Sequence, residues 1–269
     1  MAFNTVLDLE SLVVNTKAAT VYSAHENSLF LAGGIVPMVN LPAGSITAQV
    51  PVMGSVTAES LTSADPDALD DFTALTMTDT SVTISANIYA ARHVMRDLGG
   101  IDPQETGRVL GNAIQAKFDA DVITAMNGLT ASTSDGDPVT VDGLFDAAAQ
   151  IRGAGETGQL TGIVSSAEAA NLMKDVGSTA YAGGDFQSEA MRNGFLGTIA
   201  GIRMFQSSYI SGANKGFIFG QDAMRIAMFK NVDLEVARRA QAVGNDIVAN
   251  LHAGVGVIDA NRGVKLVNV

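Results

Sequence analysis

The sequence predicts an α+β fold, and three stretches of the 269-residue chain predict it. Residues 46, 48, 50 and 52 are apolar at alternate positions, the spacing of a half-buried strand. Residues 103–127 carry apolar side chains at helical spacing. The end of the chain is typical of strands at residues 224–229, 233–238, 246–258 and 264–267. Strands, a long helix, a mixed α/β region and more strands therefore follow one another along the chain.

The alternating residues near position 46 begin a predicted β-hairpin. Pro51 has no amide hydrogen to donate, so the first strand, residues 45–52, is expected at a sheet edge. A polar loop covers residues 60–71, and apolar residues alternate again from Leu75 to Ile88. The hairpin contains about 45 residues, and about fifteen strand residues at roughly 3.3 Å each reach about 50 Å. Because an isolated two-stranded ribbon is marginal in water, something outside the ribbon should hold it.

The long helix has the clearest local signals. Asp102 is a good N-cap, Pro103 suits the first helical position, and Glu105 completes a capping box. Gly128 can end the helix, whose length would be about 37 Å at roughly 1.5 Å per residue.

The remaining elements are shorter. Residues 1–40 are interpreted as an arm with one short helix near 18–25 and little core of its own. Beyond the long helix, the patterns predict helices at 141–153 and 167–176 and a helical turn at 187–193. They also predict strands at 161–165 and 216–220, and a turn followed by a strand within 195–205.

Composition excludes several classes of protein. With 16 basic and 28 acidic residues the net charge is −12, which argues against a protein whose main task is to grip DNA phosphates. The 47% of hydrophobic residues is too high for a disordered chain. The sequence contains no long uninterrupted apolar run, so no membrane span is predicted. The N-terminus lacks a signal-peptide pattern. The absence of cysteine excludes disulfides and thiolate chemistry.

Catalytic signals are weak. The one GxGxxG match, residues 153–158, follows a predicted helix and precedes a predicted strand, which is the reverse of a dinucleotide-binding context and indicates a loop. The three histidines, His25, His93 and His252, are scattered singly. A soluble α/β enzyme stays open as an alternative, with Asp119 and Asp121 as its best candidates. Being two residues apart on one helix, these carboxylates point to different faces, a poor arrangement for a paired acid and base.

Three runs of residues carry a resemblance to a known family. They are Leu98-Gly99-Gly100-Ile101-Asp102-Pro103 leading into the long helix, Gly194-Phe195-Leu196-Gly197-Thr198-Ile199-Ala200-Gly201-Ile202-Arg203, and Ala253-Gly254-Val255-Gly256-Val257-Ile258-Asp259. In this order they resemble the major capsid protein of tailed bacteriophages, the Hong Kong 97-type fold. The likeness spans nearly the whole chain.

The resemblance implies a shell subunit with no catalytic role, no metal and no cofactor, located in the virion after assembly in the host cytoplasm. Its expected parts are an N-terminal arm (1–40), an extended hairpin loop (41–91), a peripheral domain with a long spine helix (92–138 and 223–269) and an axial α/β domain (139–222). Its expected partners are copies of itself in pentamers and hexamers, a separate scaffolding protein, a portal, a possible decoration protein and non-specifically contacted DNA, without a membrane. A hairpin lysine that some members use for covalent cross-linking is not available, because residues 18–91 contain no lysine.

Charge is distributed unevenly and predicts a contact between copies. Residues 1–91 contain nine acidic residues and one basic residue, Lys17. The hairpin tip has five of these acids: Glu59, Asp65, Asp67, Asp70 and Asp71. The tip is predicted to lie over basic residues of an adjacent subunit, namely Arg92, Arg96, Lys230, Arg238 and Arg239. The alternative is a solvated tip without a contact, since exposed ion pairs contribute only about 0–1 kcal/mol.

One alternative function is associated with the same Hong Kong 97-type fold. An encapsulin-type nanocompartment would package protein in place of DNA, and an interior groove that binds a cargo peptide would distinguish it; the sequence shows no such groove that can be identified.

Overall fold

The structure, a computed structural model, describes residues 6–31, 34–41, 44–53, 79–96, 103–131, 139–178, 195–212, 214–239, 241 and 243–267. The helices are α1 (Val6–Asn27), α2 (Pro103–Met126), α3 (Val141–Gly153) and α4 (Ser166–Ser178). The strands are β1 (Met38–Asn40), β2 (Thr47–Met53), β3 (Asp79–Ser85), β4 (Asn87–Arg96), β5 (Thr130–Ala131), β6 (Leu160–Ser165), β7 (Phe195–Ile199), β8 (Ile202–Ser207), β9 (Asn214–Phe219), β10 (Met224–Arg239), β11 (Gly244–Val257) and β12 (Gly263–Val267).

Two sheets and a separate ribbon make up the β-structure of the described residues. The four-stranded sheet has the order β1-β10-β11-β4, and the six-stranded sheet has the order β5-β12-β9-β6-β8-β7. The ribbon pairs β2 with β3 in antiparallel register, and Pro51 lies opposite Ser81. Each strand of a two-stranded ribbon is an edge strand, as predicted for the strand that contains Pro51. The α+β class is confirmed.

Helix α1 contradicts the predicted short helix near residues 18–25. It runs for 22 residues, and its contact face is polar and small rather than apolar. Thr16, Thr20 and Ser23 are buried on this face, and the Thr20 hydroxyl donates to the Thr16 carbonyl at 2.8 Å. A search for apolar periodicity misses such a helix, because its packing depends on close approach and hydrogen bonds rather than on large side chains.

Glycines on α2 permit this close approach. A Cβ atom at Gly107 would lie 2.5 Å from the carbonyl oxygen of Thr16, and one at Gly111 would lie 2.5 Å from that of Thr20. The hydroxyl of Ser23 donates to the side-chain oxygen of Asn112 at 2.6 Å. The two helix backbones therefore pack in direct contact along one side of α2.

Two large clusters of buried residues form the core. The main cluster lies between α2, one side of the four-stranded sheet and one side of the six-stranded sheet, and includes Phe118, Phe217 and Ile247. The second cluster lies on the other side of the six-stranded sheet, where Leu144 of α3 and Leu172 of α4 pack. The arm is predicted to have little core of its own, and among the described residues it contributes to the main cluster instead, where five of its residues are buried: Ala24, Phe30, Leu31, Ile35 and Val36.

Two strand boundaries also differ from the sequence pattern. The alternation through Ile88 predicts one hairpin strand, but the chain changes partner at Ala86, whose amide donates to Ile46 at 2.9 Å. From Asn87 onward β4 pairs with β11 instead. The two strands predicted at 224–229 and 233–238 are one strand, β10, with irregular pairing between Met228 and Asp233. The predicted helix at 141–153 is confirmed, while the turn at 187–193 lies outside the described residues.

Candidate inter-subunit surfaces

The hairpin of β2 and β3 is fixed to the body of the protein at its root. Ile84 and Ala48 are buried against Ala227 of β10. A Cβ atom at Gly254 or at Gly256 would lie 2.8 Å from side-chain atoms of Ile84, so both positions must be glycine for the hairpin to approach β11 this closely. The third run of the capsid resemblance, residues 253–259, therefore has a physical role as the seat of the hairpin.

Large apolar side chains near this root remain exposed. Ile46 precedes β2 and is 74% exposed, and Ile88 at the start of β4 is 69% exposed. Burial of such a side chain against another protein would contribute a favourable free energy of about 25 cal/mol per Å² of apolar surface. The root of the hairpin is therefore a candidate contact surface.

The outer face of the four-stranded sheet is a second candidate. Residues directly opposite one another in an antiparallel sheet share a face. The register puts Arg96, Gly244 and Arg239 in one row. The next rows on this face are Val94, Asp246 and Ala237, and then Arg92, Val248 and Glu235. The opposite face carries Ile247 and Leu234, which are buried in the main core. The hairpin root covers only the Gly254 end of the outer face, so its arginine-bearing end is open among the described residues.

Arg92 and Asp246 form the ion pair of this face. Arg92 Nε donates to the two carboxylate oxygens at 2.7 and 3.0 Å, and its Nη2 contacts the carboxylate as well. The hydrogen bonds to Asp246 raise the pKa of Arg92, and those from Arg92 lower the pKa of Asp246. Arg92 is thus already paired within its own chain.

The other predicted basic residues do not all share this face. Arg238 lies in a row with Asn245 and Met95, on the side opposite to Arg239. Lys230 lies 3.3 Å from the carboxylates of Asp233 and Glu235. Arg238 and Arg239 point to opposite sides of the sheet, because neighbouring residues of a strand do so. A contact that uses all five basic residues stays a prediction.

Glu59, Asp65, Asp67, Asp70 and Asp71 lie outside the described residues.

A charged contact fixes α1 to β10. The ammonium group of Lys17 lies 2.6 Å from the carboxylate of Asp233. The hydrogen bond from Lys17, with further hydrogen bonds from Leu234 and Lys230, holds the pKa of Asp233 below its ordinary value. The arm is thus tied to the four-stranded sheet as well as to α2.

Asp119, one of the two best catalytic candidates in the sequence, has a structural role. Its buried carboxylate accepts hydrogen bonds from the Ser28 hydroxyl at 2.7 Å, the Leu29 amide at 3.2 Å and the Gln115 amide at 2.8 Å. Burial raises the pKa of Asp119, and these hydrogen bonds oppose the rise. Asp121 lies on a different side of the helix and pairs with Lys117 at 2.7 Å.

The GxGxxG run is the loop between α3 and β6, as predicted. Its buried Glu156 accepts a hydrogen bond from the Gly158 amide at 2.8 Å and lies 3.5 Å from Arg262 Nη1. Arg262 also lies 3.2 Å from Asp222. The loop is joined to the turn before β10 by side-chain charges, which sequence spacing could not reveal because the partners are far apart in the chain.

The described ranges contain no group of three or more metal-ligating side chains, and none of their helices is long and apolar enough to cross a membrane. A groove of about 1300 Å³ runs between α1 and α2; its charged lining residues, Glu105 and Arg108, pair with each other at 2.8 Å.

Solved structures place this fold among the capsid shells of bacteriophages, whereas no family model and no curated protein matches the sequence. The capsid of cyanophage P-SCSP1u is 16% identical, with a TM-score of 0.64 over 87% of this chain and 86% of that chain. The capsid of Ralstonia phage GP4 is 10% identical, with a TM-score of 0.66 over 90% and 92%. A virus-like particle from Pyrococcus furiosus is 10% identical, with a TM-score of 0.66 over 94% and 98%. The predicted capsid fold is confirmed.

Proposed function

We propose that this protein is the major structural subunit of a tailed-phage capsid, which assembles into pentamers and hexamers of an icosahedral shell around double-stranded DNA. The match of nearly the whole chain to phage capsid structures carries this proposal. In this role the chain performs no catalysis. The hydrogen bonds of Asp119 support a structural role, since they join Ser28 and Leu29 at the end of α1 to Gln115 of α2.

The surface of the chain supports assembly. Two large apolar side chains at the root of the hairpin are exposed, Ile46 at 74% and Ile88 at 69%. Burial of such surface against identical copies would contribute about 25 cal/mol per apolar Å². Each contact can be weak, because closure of a symmetric shell makes every subunit participate in several contacts at once.

The proposed parts of the subunit correspond to the following stretches of the chain. The arm is residues 1–40, the extended loop is 41–91, the peripheral domain is 92–138 with 223–269, and the axial domain is 139–222. The hairpin would lie over a neighbouring subunit, with its acidic residues 59–71 above the outer face. Arg96 and Arg239 are the basic residues best placed for this contact, since both are exposed on that face.

Further partners belong to the proposal. A separate scaffolding protein would guide assembly, a portal would occupy one vertex, and a decoration protein is an optional addition. DNA would be contacted without sequence readout, in keeping with a net charge of −12.

Expression of the chain alone and together with a scaffolding protein tests the proposal. Electron microscopy is expected to show closed shells of uniform size, and shells from infected cells are expected to protect DNA from nuclease. Shells that enclose protein cargo and no DNA would favour the nanocompartment alternative. A protein that stays monomeric under every assembly condition, or a purified monomer that turns over a substrate, would contradict a shell subunit.

A further inference from the structure

A small cavity lies where the arm meets the six-stranded sheet. Its volume is about 300 Å³, at the lower end of the range for small-molecule sites. Three arm residues within 34–37 line it, together with Thr161 of β6, Arg203 of β8, Gln159 and Gln221. The cavity therefore adjoins the arm, the sheet and the turn before β10.

Strand register places two of the polar lining residues side by side. β6 and β8 are parallel neighbours, and Thr161 is the register partner of Arg203. Side chains of paired residues in adjacent strands project from the same face of a sheet. On that face the guanidinium carbon of Arg203 lies 5.6 Å from the centre of the Phe205 ring, an attractive cation–π contact. A hydroxyl group and a positive charge are thus held together at the cavity.

The polar side chains at the cavity have unused hydrogen-bonding capacity. Thr161 is buried, with 7% of its surface exposed, yet its hydroxyl forms no hydrogen bond with another described residue. Among the described residues the side-chain amides of Gln159 and Gln221 have no partner either. Buried polar groups in proteins are normally hydrogen-bonded to protein, water or a ligand. Three such groups therefore line one cavity.

The cavity is positively charged in a chain that is acidic overall. Arg203 lines it and no described lining residue is acidic, although the net charge of the chain is −12. Asp222 follows Gln221 in the chain, but its carboxylate lies 2.8 Å from Arg225 and 3.2 Å from Arg262. The charges of the cavity therefore favour an anion.

We propose that this cavity binds the phosphate group of a small ligand, either inorganic phosphate or a phosphomonoester. Arg203 would supply the positive charge and the planar set of N–H donors that suit a phosphate. The Thr161 hydroxyl and the amides of Gln159 and Gln221 would donate further hydrogen bonds. The bound anion would join the arm to the sheet and to the turn before β10, so it would stabilise the folded chain whether or not shells form.

Thermal unfolding of the unassembled protein tests the proposal. Inorganic phosphate at about ten times its Kd is expected to raise the Tm by roughly 2–5 °C over a chloride buffer of equal ionic strength. Arg203→Gln and Thr161→Val are each expected to weaken phosphate binding about tenfold and to lose most of this shift. Arg108→Gln is the matched control, because Arg108 pairs with Glu105 away from the cavity, and it is expected to keep the shift. Equal shifts in all variants would indicate a general salt effect and overturn the inference.

Phosphorus NMR measures binding to the wild-type chain without any variant. The resonance of inorganic phosphate is expected to broaden or shift with wild type and to stay unchanged with Arg203→Gln. Tighter binding of deoxyadenosine monophosphate than of phosphate would identify a phosphomonoester, and equal binding would identify the free ion. Deoxyadenosine that binds as tightly as its monophosphate, or an unchanged phosphate resonance with wild type, would overturn the inference and leave the proposed shell function unaffected.

Discussion

Ser28 and Asp119 lie 91 positions apart in the chain, and the hydroxyl of Ser28 donates a 2.7 Å hydrogen bond to the buried carboxylate of Asp119. The same hydroxyl accepts hydrogen bonds from the amides of Phe30 and Leu31 at 3.2 and 2.9 Å. The turn that ends α1 is thereby attached to the middle of α2. This attachment explains why the arm belongs to the main core rather than standing apart from it.

Asp119→Ala is expected to destabilise the subunit by about 1–3 kcal/mol, because it leaves buried donors at Leu29 and Gln115 without an acceptor. Urea unfolding of the unassembled protein measures the loss. Lys117→Ala is the matched control on the same helix; it removes an exposed pair with Asp121 that contributes about 0–1 kcal/mol at most. Equal effects of the two substitutions would contradict the structural role of Asp119.

The contact between Lys17 and Asp233 predicts a pH dependence. The folded pKa of Asp233 is lowered, so its contribution is present above the unfolded pKa of about 3.9 and is lost as pH falls through the folded value. Lys17→Ala is therefore expected to reduce the free energy of unfolding near neutral pH by up to about 1 kcal/mol, since the pair is partly exposed. The difference from wild type should shrink below about pH 4. A difference that stays constant down to pH 2 would argue against this ion pair.

The contribution of Asp119 to the free energy of unfolding is expected to change with pH in the opposite direction. Burial raises its folded pKa above the unfolded value, so its contribution is fully present below the unfolded pKa and is lost as pH rises through the folded pKa. Asp119→Asn removes the titration. Compared with wild type, its stability is expected to change less as pH rises from about 3.9 through the folded pKa of Asp119. Parallel stability profiles for the two proteins over that range would contradict the raised pKa.

Gly111→Ala tests the close contact between α1 and α2. The added Cβ would lie 2.5 Å from the Thr20 carbonyl oxygen, so the helices must separate, at a cost of about 1–3 kcal/mol. Gly153→Ala at the end of α3 is the control, because no atom lies within 4 Å of its added Cβ. The control is expected to be neutral or stabilising by up to about 1 kcal/mol. Thermal unfolding compares them; a stabilising Gly111→Ala would mean that the helices do not pack this closely.

Reversal of charge tests the outer face. Arg96→Glu together with Arg239→Glu is expected to lower shell yield and to weaken the dependence of shell stability on salt, because both residues lie on the face proposed to meet the acidic hairpin tip. Arg238→Glu changes the same charge on the opposite side of the sheet and is expected to have a smaller effect. Light scattering over a range of salt concentrations measures both. Normal shells with unchanged salt sensitivity in the double variant would contradict the proposed hairpin contact.

Local sequence signals determined several elements of this protein. The proline at the first position of α2 and the apolar spacing of α2 and α3 defined those helices, and the alternation at residues 46–52 defined β2. These signals act within one or two turns of helix or a few residues of strand, so they are visible in the sequence alone. The order of these elements, with three short glycine-containing runs, was enough to predict the capsid fold.

Only the tertiary structure decided how these elements meet. The close packing of α1 depends on Gly107 and Gly111 of a different helix, and the close approach of the hairpin to β11 depends on Gly254 and Gly256. The change of partner at Ala86 and the opposite sides of Arg238 and Arg239 depend on strand register. Such contacts join residues that are far apart in the chain, and their free energy comes from backbone approach and hydrogen bonding that no local pattern of polarity encodes.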